Sequence, residues 1–245
     1  MSILNIYKKL GQTPFEALSE LRKSNLEFKD SKMVYAGRLD PMAEGVLIVL
    51  TDEDRFKLDE YLGFDKIYEA TFLFGAETDT YDTLGLVKKL HDDFYKTNEG
   101  EVIDQLQKLT GIHRLPFPAY SSYKVKGQPL HVWAREGRLH EIEIPIKEME
   151  VLSVSGVTTS LILSEELLSQ IEDRVSKVAG NFRQTTTVEK WREVLSKDAK
   201  FLIASMTLHV TSGTYIRSLA HELGQKLGGG AILLELKRTQ VVGVK

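Results

Sequence analysis

The sequence has no cysteine among its 245 residues. Disulfide frameworks and thiolate chemistry are therefore excluded, which fits a reducing compartment, and we expect a cytoplasmic protein. Paired metal ligands are missing as well, because the six histidines (positions 91, 113, 131, 140, 209 and 221) show no metal-ligand spacing. The sequence thus predicts neither a disulfide-stabilised domain nor a metal site.

Long hydrophobic runs and an excess of positive charge are absent too. No apolar run reaches the roughly 20 residues that cross a bilayer, and no basic segment followed by a long apolar one opens the chain. We therefore expect no membrane helix and no signal peptide. The formal net charge is −3, which disfavours nucleic-acid binding because phosphate contacts need Lys and Arg. Binding depends on one face, however, so a local basic patch would still permit it.

The residues that are present predict one large domain containing both helices and strands. Hydrophobic residues make up 42% of the chain, enough for a sizeable core or for a domain with a substantial insertion. Alternating apolar residues predict strands over 66–74 and 201–210. Helical spacing predicts helices that begin at Thr13, Ser164 and Thr186. Thr13 and Glu16 have the spacing of a capping box.

Asp40 stands in the most informative stretch of the chain. Gly37, Pro41 and Gly45 bracket it, and the apolar strand 46–50 follows. Proline fixes φ and glycine permits positive φ, so the Asp40 carboxylate is held by a stiff turn beside a buried strand. For an isolated Asp-Pro pair a simple turn would be the usual interpretation.

Tyr68 and Arg217 also have ordinary structural interpretations. Tyr68 lies on the same strand face as Ala70 and Phe72, which is typical of a core tyrosine. Arg217 would be a surface arginine in the first turn of a helix. Its charge opposes the helix dipole there, so we expect an anionic partner nearby.

Several segments, in order, resemble motifs of the TruB family of tRNA pseudouridine synthases. The resemblance rests on Gly37–Leu47, on Lys66–Ala70 continued by Gly75–Asp82, on Pro116–Gly127 continued by Trp133–Gly137, on Gly213–Arg217, and on Leu236–Thr239. One such motif would be weak support, but motifs in the family order over most of the chain are strong support.

The resemblance implies a fold and an activity. It implies an α+β pseudouridine synthase fold with a mixed, largely antiparallel sheet, and the isomerisation of uridine to pseudouridine at position 55 in the T-loop of tRNA. This reaction has no net redox change and loses no group, so no cofactor is expected. We expect the T-arm of tRNA as the partner of a monomer, without metal or membrane.

The resemblance also implies roles for individual residues. Asp40 would be the catalytic carboxylate, Arg217 its ionic partner, and Tyr68 the ring that stacks on the detached base. Residues expected to bind substrate are Lys8, Tyr35, Tyr215, Leu236 and Arg238. Family members commonly have His where Tyr35 stands, and that His helps to hold the flipped nucleotide, so this departure bears on base-flipping geometry or on target choice.

The resemblance sets expectations for domain organisation. We expect one catalytic domain over 1–245 with a helical insertion near 160–199, and no C-terminal RNA-binding (PUA-type) domain. The insertion carries Arg174, Lys177, Arg183, Lys190 and Arg192, which fit either an RNA face or a solvated helix.

Two alternatives to the expected activity stay open. One is a non-catalytic RNA-binding or RNA-folding factor that keeps the scaffold. The other is a pseudouridine synthase that acts on a different RNA.

Overall fold

The computed structural model describes residues 2–91, 93–96, 99–195 and 198–244, and of Tyr95 only the backbone. The strands are β1 (Ile3–Lys8), β2 (Met33–Ala36), β3 (Ala43–Thr51), β4 (Lys66–Phe74), β5 (Ala76–Thr78), β6 (Val87–Leu90), β7 (Gly111–Pro116), β8 (Lys124–Val125), β9 (Gln128–Pro129), β10 (Ile146–Leu163), β11 (Lys200–Val210) and β12 (Ala231–Val241). The helices are α1 (Pro14–Ser24), α2 (Leu58–Gly63), α3 (Glu99–Gln107), α4 (Leu130–Arg135), α5 (Ser164–Ser176), α6 (Gln184–Val194) and α7 (Ile216–Lys226).

One eight-stranded sheet organises the domain. Its strand order is β1-β3-β12-β4-β11-β10-β7, with β2 paired to β3, and only the pair β3/β12 is parallel. The predicted α+β fold with a mixed, largely antiparallel sheet is confirmed. Because β12 lies between β3 and β4, a late segment of the chain joins two early ones.

Helices cover both faces of this sheet. Phe72 and Phe74 of β4 point into a core that includes α3 and α7, whereas Leu73 points into a second core with α5 and α6. Successive strand residues face opposite sides, so a strand covered on both faces reads as a continuous apolar run. The predicted insertion near 160–199 contains α5 and α6, which form the layer on the second face.

Two predicted strands, one predicted helix and the capping box at Thr13 agree with the structure. The strand over 66–74 and the helix from Ser164 are confirmed, and the strand predicted over 201–210 is β11. The capping box is confirmed, because Thr13 Oγ1 accepts from the Glu16 amide at 3.2 Å and Glu16 Oε2 accepts from the Thr13 amide at 2.7 Å.

The predicted start of the next helix at Thr186 is wrong. Helix α6 begins at Gln184, after Arg183 in the left-handed region with φ 64°. Instead of a threonine cap, the Gln184 side chain holds the turn, since it donates to the carbonyls of Val178 at 2.9 Å and Gly180 at 2.7 Å. Thr187 uses its hydroxyl for a tertiary contact, described below.

Gly45 is required where β3 passes β12. Its φ is +111°, and a Cβ there would lie 2.1 Å from the Arg238 carbonyl oxygen. That oxygen belongs to the backbone of β12, which pairs with Gly45 in parallel register, so it cannot move aside without disturbing the pairing of the two strands.

We expect Gly45→Ala to lower the free energy of unfolding by about 2 to 4 kcal/mol, because strain in φ adds to the clash with β12. Denaturant titration measures the change. Gly63→Ala is the matched control, since a Cβ at Gly63 meets nothing within 4 Å. Equal stability of the two variants would contradict the close approach.

Lys8 ends β1 in the protein interior. Its side chain is fully buried, and its amine donates to the carbonyls of Lys9 at 3.1 Å and Gln12 at 2.6 Å. Burial lowers the pKa of Lys8 from 10.5 to about 8. The folded protein therefore releases this proton at a lower pH than the unfolded chain does.

Because the unfolded chain keeps the Lys8 proton longer, stability should rise with pH through the window between about 8 and 10.5. From about pH 7 to about pH 9, wild type should gain about 1 kcal/mol relative to Lys8→Met. Urea titrations of both proteins at the two pH values test this. A constant difference between them would contradict the lowered pKa.

Candidate active site

Four connecting segments meet at a cavity of about 570 Å³. They are the 37–42 turn between β2 and β3, the 79–86 loop between β5 and β6, the 117–123 loop after β7, and the 211–215 loop before α7. Strands β4 and β12 add residues to the walls. The cavity is thus assembled from segments that are far apart in sequence.

The 37–42 turn is held by backbone contacts on both sides of Asp40. The Gly11 amide donates to the Pro41 carbonyl at 2.8 Å, and Arg238 Nη2 donates to the Gly37 carbonyl at 2.9 Å. The Asp40 side chain lines the cavity and is 36% exposed. A rigid backbone therefore presents a carboxylate to the cavity, as the bracketing Gly and Pro residues predict.

Arg217 meets Asp40 inside the protein. It is the second residue of α7 and only 4% exposed, and its Nε lies 2.8 Å from Asp40 Oδ2. This contact is an ion pair rather than a well-aligned hydrogen bond. Arg217 Nη1 donates to the Thr80 carbonyl at 2.6 Å, and Nη2 to the Tyr120 carbonyl at 3.4 Å. The two carbonyls orient the guanidinium toward Asp40.

Asp82 is a second carboxylate at the same guanidinium. Its Oδ2 lies 3.8 Å from Arg217 Nε, and its Oδ1 accepts from Thr80 Oγ1 at 2.5 Å and from the Leu84 amide at 3.0 Å. Burial raises the pKa of Asp82, although the Arg217 charge acts against that rise. Burial acts to lower the pKa of Arg217, but Asp40 and Asp82 outweigh it and raise that pKa.

Sequence reasoning did not assign Asp82 a place beside Arg217. Its residue type and neighbours indicate only a turn former, and it does accept local hydrogen bonds of that kind. The folded chain alone brings it to the guanidinium.

Tyr68, Tyr215 and Leu236 form walls of the cavity next to Asp40. Tyr68 is 7% exposed in β4, and Leu236 is 9% exposed in β12. Tyr215 precedes α7 and packs edge to face on Phe117, with ring centroids 5.6 Å apart. Burial, followed by the Asp40 charge, raises the pKa of Tyr215. These three side chains leave an apolar surface beside the carboxylate.

Of the other predicted substrate-binding residues, Lys8 and Tyr35 do not line the cavity, and Arg238 lines it but donates to backbone carbonyls. Lys8 does not line the cavity, and its amine bonds the loop that contains Gly11. Arg238 lines the cavity but donates Nε to the Val46 carbonyl at 2.7 Å and Nη2 to Gly37. Tyr35 stands behind the rim, where its hydroxyl accepts from Arg38 Nη2 at 3.0 Å.

The cavity is positively charged although the chain is not. Seven Lys or Arg residues line it against two acids, Asp40 and Asp82, in a chain of net charge −3. These cations are Arg38, Lys66, Arg135, Lys147, Arg183, Arg217 and Arg238. Burial, with the Arg238 charge second, lowers the pKa of Lys66 to about 8. Positive charge concentrated in a cleft attracts polyanions such as RNA.

Within the described parts of the chain, no group of three or more His, Asp or Glu side chains could hold a metal ion. Of the helices in those same parts, none has the length and apolar character needed to cross a bilayer.

Known proteins resemble this chain in sequence over nearly its whole length. The sequence is 33% identical over 238 residues to tRNA pseudouridine synthase B of Oleidesulfovibrio alaskensis, covering 96% of this chain and 62% of that protein. It is 32% identical over 246 residues to the protein of that name from Aquifex aeolicus, covering 97% and 67%. The chain thus spans about two thirds of the length of these relatives.

Solved structures share the fold. The chain aligns with one in the crystal structure of a Cbf5-Nop10-Gar1 complex at a TM-score of 0.54 and 19% identity, covering 97% of this chain and 48% of that one. A chain in an H/ACA RNP bound to a substrate RNA gives 0.52 at 18% identity, covering 98% and 47%.

The sequence profile described as TruB family pseudouridylate synthase (N terminal domain) matches residues 23–170. This match includes the Asp40 turn, β4 and the 79–86 loop. The chain therefore belongs to the TruB family of pseudouridylate synthases.

Proposed function

We propose that this protein isomerises uridine to pseudouridine at position 55 in the T-loop of tRNA. The observation that carries the proposal is the Asp40 carboxylate, presented by a rigid turn to a cavity and held 2.8 Å from the buried Arg217 guanidinium. The names of the relatives support the activity and the class of RNA. Monomeric state, independence from metal and location in the cytoplasm stay predictions.

The reaction moves the uracil from one ring atom to another. The bond from ribose C1′ to N1 breaks and a bond from C1′ to C5 forms, with the C5 proton finally lost and N1 protonated. Positive character develops at C1′ as the base departs, so a carboxylate against the sugar either traps that carbon or removes a neighbouring proton. Asp40 is the carboxylate in position to do so.

Arg217 places a positive charge directly beside this carboxylate. Its guanidinium is buried and oriented by two backbone carbonyls, so it need not reorganise when charge develops. The Asp40 carboxylate therefore faces a fixed cation on one side and the cavity on the other. Asp82 is a second carboxylate at the same guanidinium, 3.8 Å from Arg217 Nε.

The detached base must be retained while it rotates. Tyr68 offers an aromatic surface for stacking, with Tyr215 and Leu236 on neighbouring walls. A base in a folded loop must first leave its stack, and the cationic rim formed by Arg38, Lys147 and others would hold the flanking phosphates. Tyr35 positions Arg38 at that rim.

A synthase acting on a different RNA is the second candidate. Tyr35 favours it, because family members commonly have His there. The two candidates differ in target, so incubation with total RNA and mapping of all new pseudouridines separates them.

We expect Asp40→Asn to lose at least about 10³-fold in modification rate, because the neutral amide can neither trap C1′ nor remove a proton. Carbodiimide-dependent reverse-transcription stops on T-loop RNA measure the loss. Asp54→Asn, which changes an acid that is paired with Lys57 and does not line the cavity, is the matched control. RNA binding should be retained in both. Unchanged modification by Asp40→Asn would contradict the catalytic role of Asp40, whereas a wild-type protein that binds RNA but modifies none would favour a non-catalytic RNA factor.

Arg217→Met should lower the free energy of unfolding by about 3 to 5 kcal/mol at neutral pH, because Asp82 stays buried without its cation. Activity should fall with it. The deficit relative to wild type should shrink as pH falls, since a buried carboxyl with a raised pKa takes up a proton in the folded state.

Two further variants sharpen this test. Arg217→Met with Asp82→Asn should recover stability but not activity, because the uncompensated charge is gone while Asp40 remains unpaired. Arg217→Lys should keep part of the stability and lose about 10²-fold in rate, since an ammonium cannot reach Asp40 and both carbonyls together. A stable Arg217→Met protein with full activity would contradict the pairing.

A further inference from the structure

Helices α5 and α6, with the turn that joins them, form the α5–α6 segment, residues 164–195, which reaches the active site at Arg183. Arg183 Nη1 donates to Asp79 Oδ2 at 2.8 Å and Nη2 to Asp79 Oδ1 at 3.3 Å. The Arg183 guanidinium also lies 4.8 Å from the centre of the Tyr120 ring. These three residues, the Arg183 cluster, join the α5–α6 segment to two active-site loops.

The same two loops orient Arg217. The 79–86 loop contains Asp79 and supplies the Thr80 carbonyl, and the 117–123 loop supplies the carbonyl of Tyr120 itself. Tyr120 is therefore fixed by its ring to Arg183 and by its backbone to Arg217. Movement of the 117–123 loop would release one of the two carbonyls that hold the Arg217 guanidinium.

Helix α6 is anchored to the 79–86 loop independently of Arg183. Trp191 Nε1 donates to the Thr83 carbonyl at 3.1 Å, and Thr187 Oγ1 donates to the Leu84 carbonyl at 3.0 Å, both in buried surroundings. These bonds fix α6 against one loop but do not reach Tyr120. The side chain of Arg183 connects the α5–α6 segment to the 117–123 loop through the Tyr120 ring, and the Tyr120 side chain also interacts with Asp79.

The backbone of Arg183 is also unusual. Its φ of 64° lies in the left-handed region, which costs a residue with a Cβ about 1 kcal/mol or more. Glycine or asparagine would avoid most of that cost. The left-handed turn directs a long cationic side chain at Asp79 and Tyr120.

We propose that Arg183 is a positioning residue that fastens the 117–123 loop to the 79–86 loop and thereby keeps Arg217 directed at Asp40. The expected effect of Arg183 on the modification rate rests on the proposed function. Direct contact with RNA phosphate is disfavoured, because both Asp79 oxygens already accept from the guanidinium and the Arg183 side chain is only 31% exposed.

The test compares variants of Arg183 with a matched control in the same α5–α6 segment. Arg183→Met removes the ion pair and the ring contact, and Arg183→Lys keeps charge but not the two-pronged geometry. Asp79→Asn retains an acceptor for the Leu86 amide, which Asp79 Oδ1 binds at 2.8 Å. Arg192→Met is the control, because Arg192 pairs with Glu172 at 2.6 Å and does not line the cavity.

Three quantities are measured for each protein: the single-turnover modification rate, the Kd for T-arm RNA, and the rate of chymotrypsin cleavage within the 117–123 loop. In Arg183→Met we expect a rate lower by about 10- to 100-fold, a Kd within about twofold, and faster cleavage, because a small displacement of Arg217 affects the chemical step. Arg183→Lys should recover part of the rate.

The double variant Arg183→Met, Asp79→Asn should be no slower than the slower of the two single variants, because both substitutions break the same ion pair. Arg192→Met should match wild type in all three quantities.

Other outcomes overturn the proposal. A weaker Kd with an unchanged single-turnover rate would make Arg183 an RNA contact. Cleavage of Arg183→Met no faster than that of Arg192→Met would show that Arg183 does not fasten the loop. A wild-type chain that modifies no RNA contradicts the proposed function, and the cleavage rates then decide alone whether the loop is fastened.

Discussion

The pairing of a buried guanidinium with two carboxylates is the constraint on which the rest of the site depends. Arg217 is surrounded by protein, so it needs nearby negative charge to remain in the fold, and Asp40 and Asp82 provide it. The two acids are not equivalent, because Asp40 is open to the cavity whereas Asp82 is enclosed and bonded to its own loop. Enclosure of one acid leaves the other free to meet a substrate.

Backbone carbonyls play as large a part as side chains in this arrangement. Lys66 and Arg238 each donate to main-chain oxygens around the cavity. Such bonds satisfy buried cations without neutralising them, since a carbonyl carries a dipole and no net charge. The cleft consequently stays positive within an acidic chain.

The sequence predicts the parts of the site that depend on local rules. Gly37, Pro41 and Gly45 predict a stiff turn at Asp40, and alternation predicts the face on which Tyr68 lies. The burial of Lys8 and the place of Asp82 depend on contacts between distant segments, which no local pattern records. The start of α6 was missed because Thr186 and Glu189 have the spacing of a capping box, whereas the Gln184 side chain holds the turn by donating to the Val178 and Gly180 carbonyls.

Strand β12 has a consequence for the order of events on the ribosome. It sits in the middle of the sheet, between the β1–β3 edge and the β4–β11–β10–β7 half, although it is translated after both. Until β12 is synthesised, β3 and β4 lack the strand that pairs with both of them, and their edges are unpaired. Unpaired strand edges slow folding and promote association between nascent chains. A molecular chaperone that shields strand edges would act during that interval.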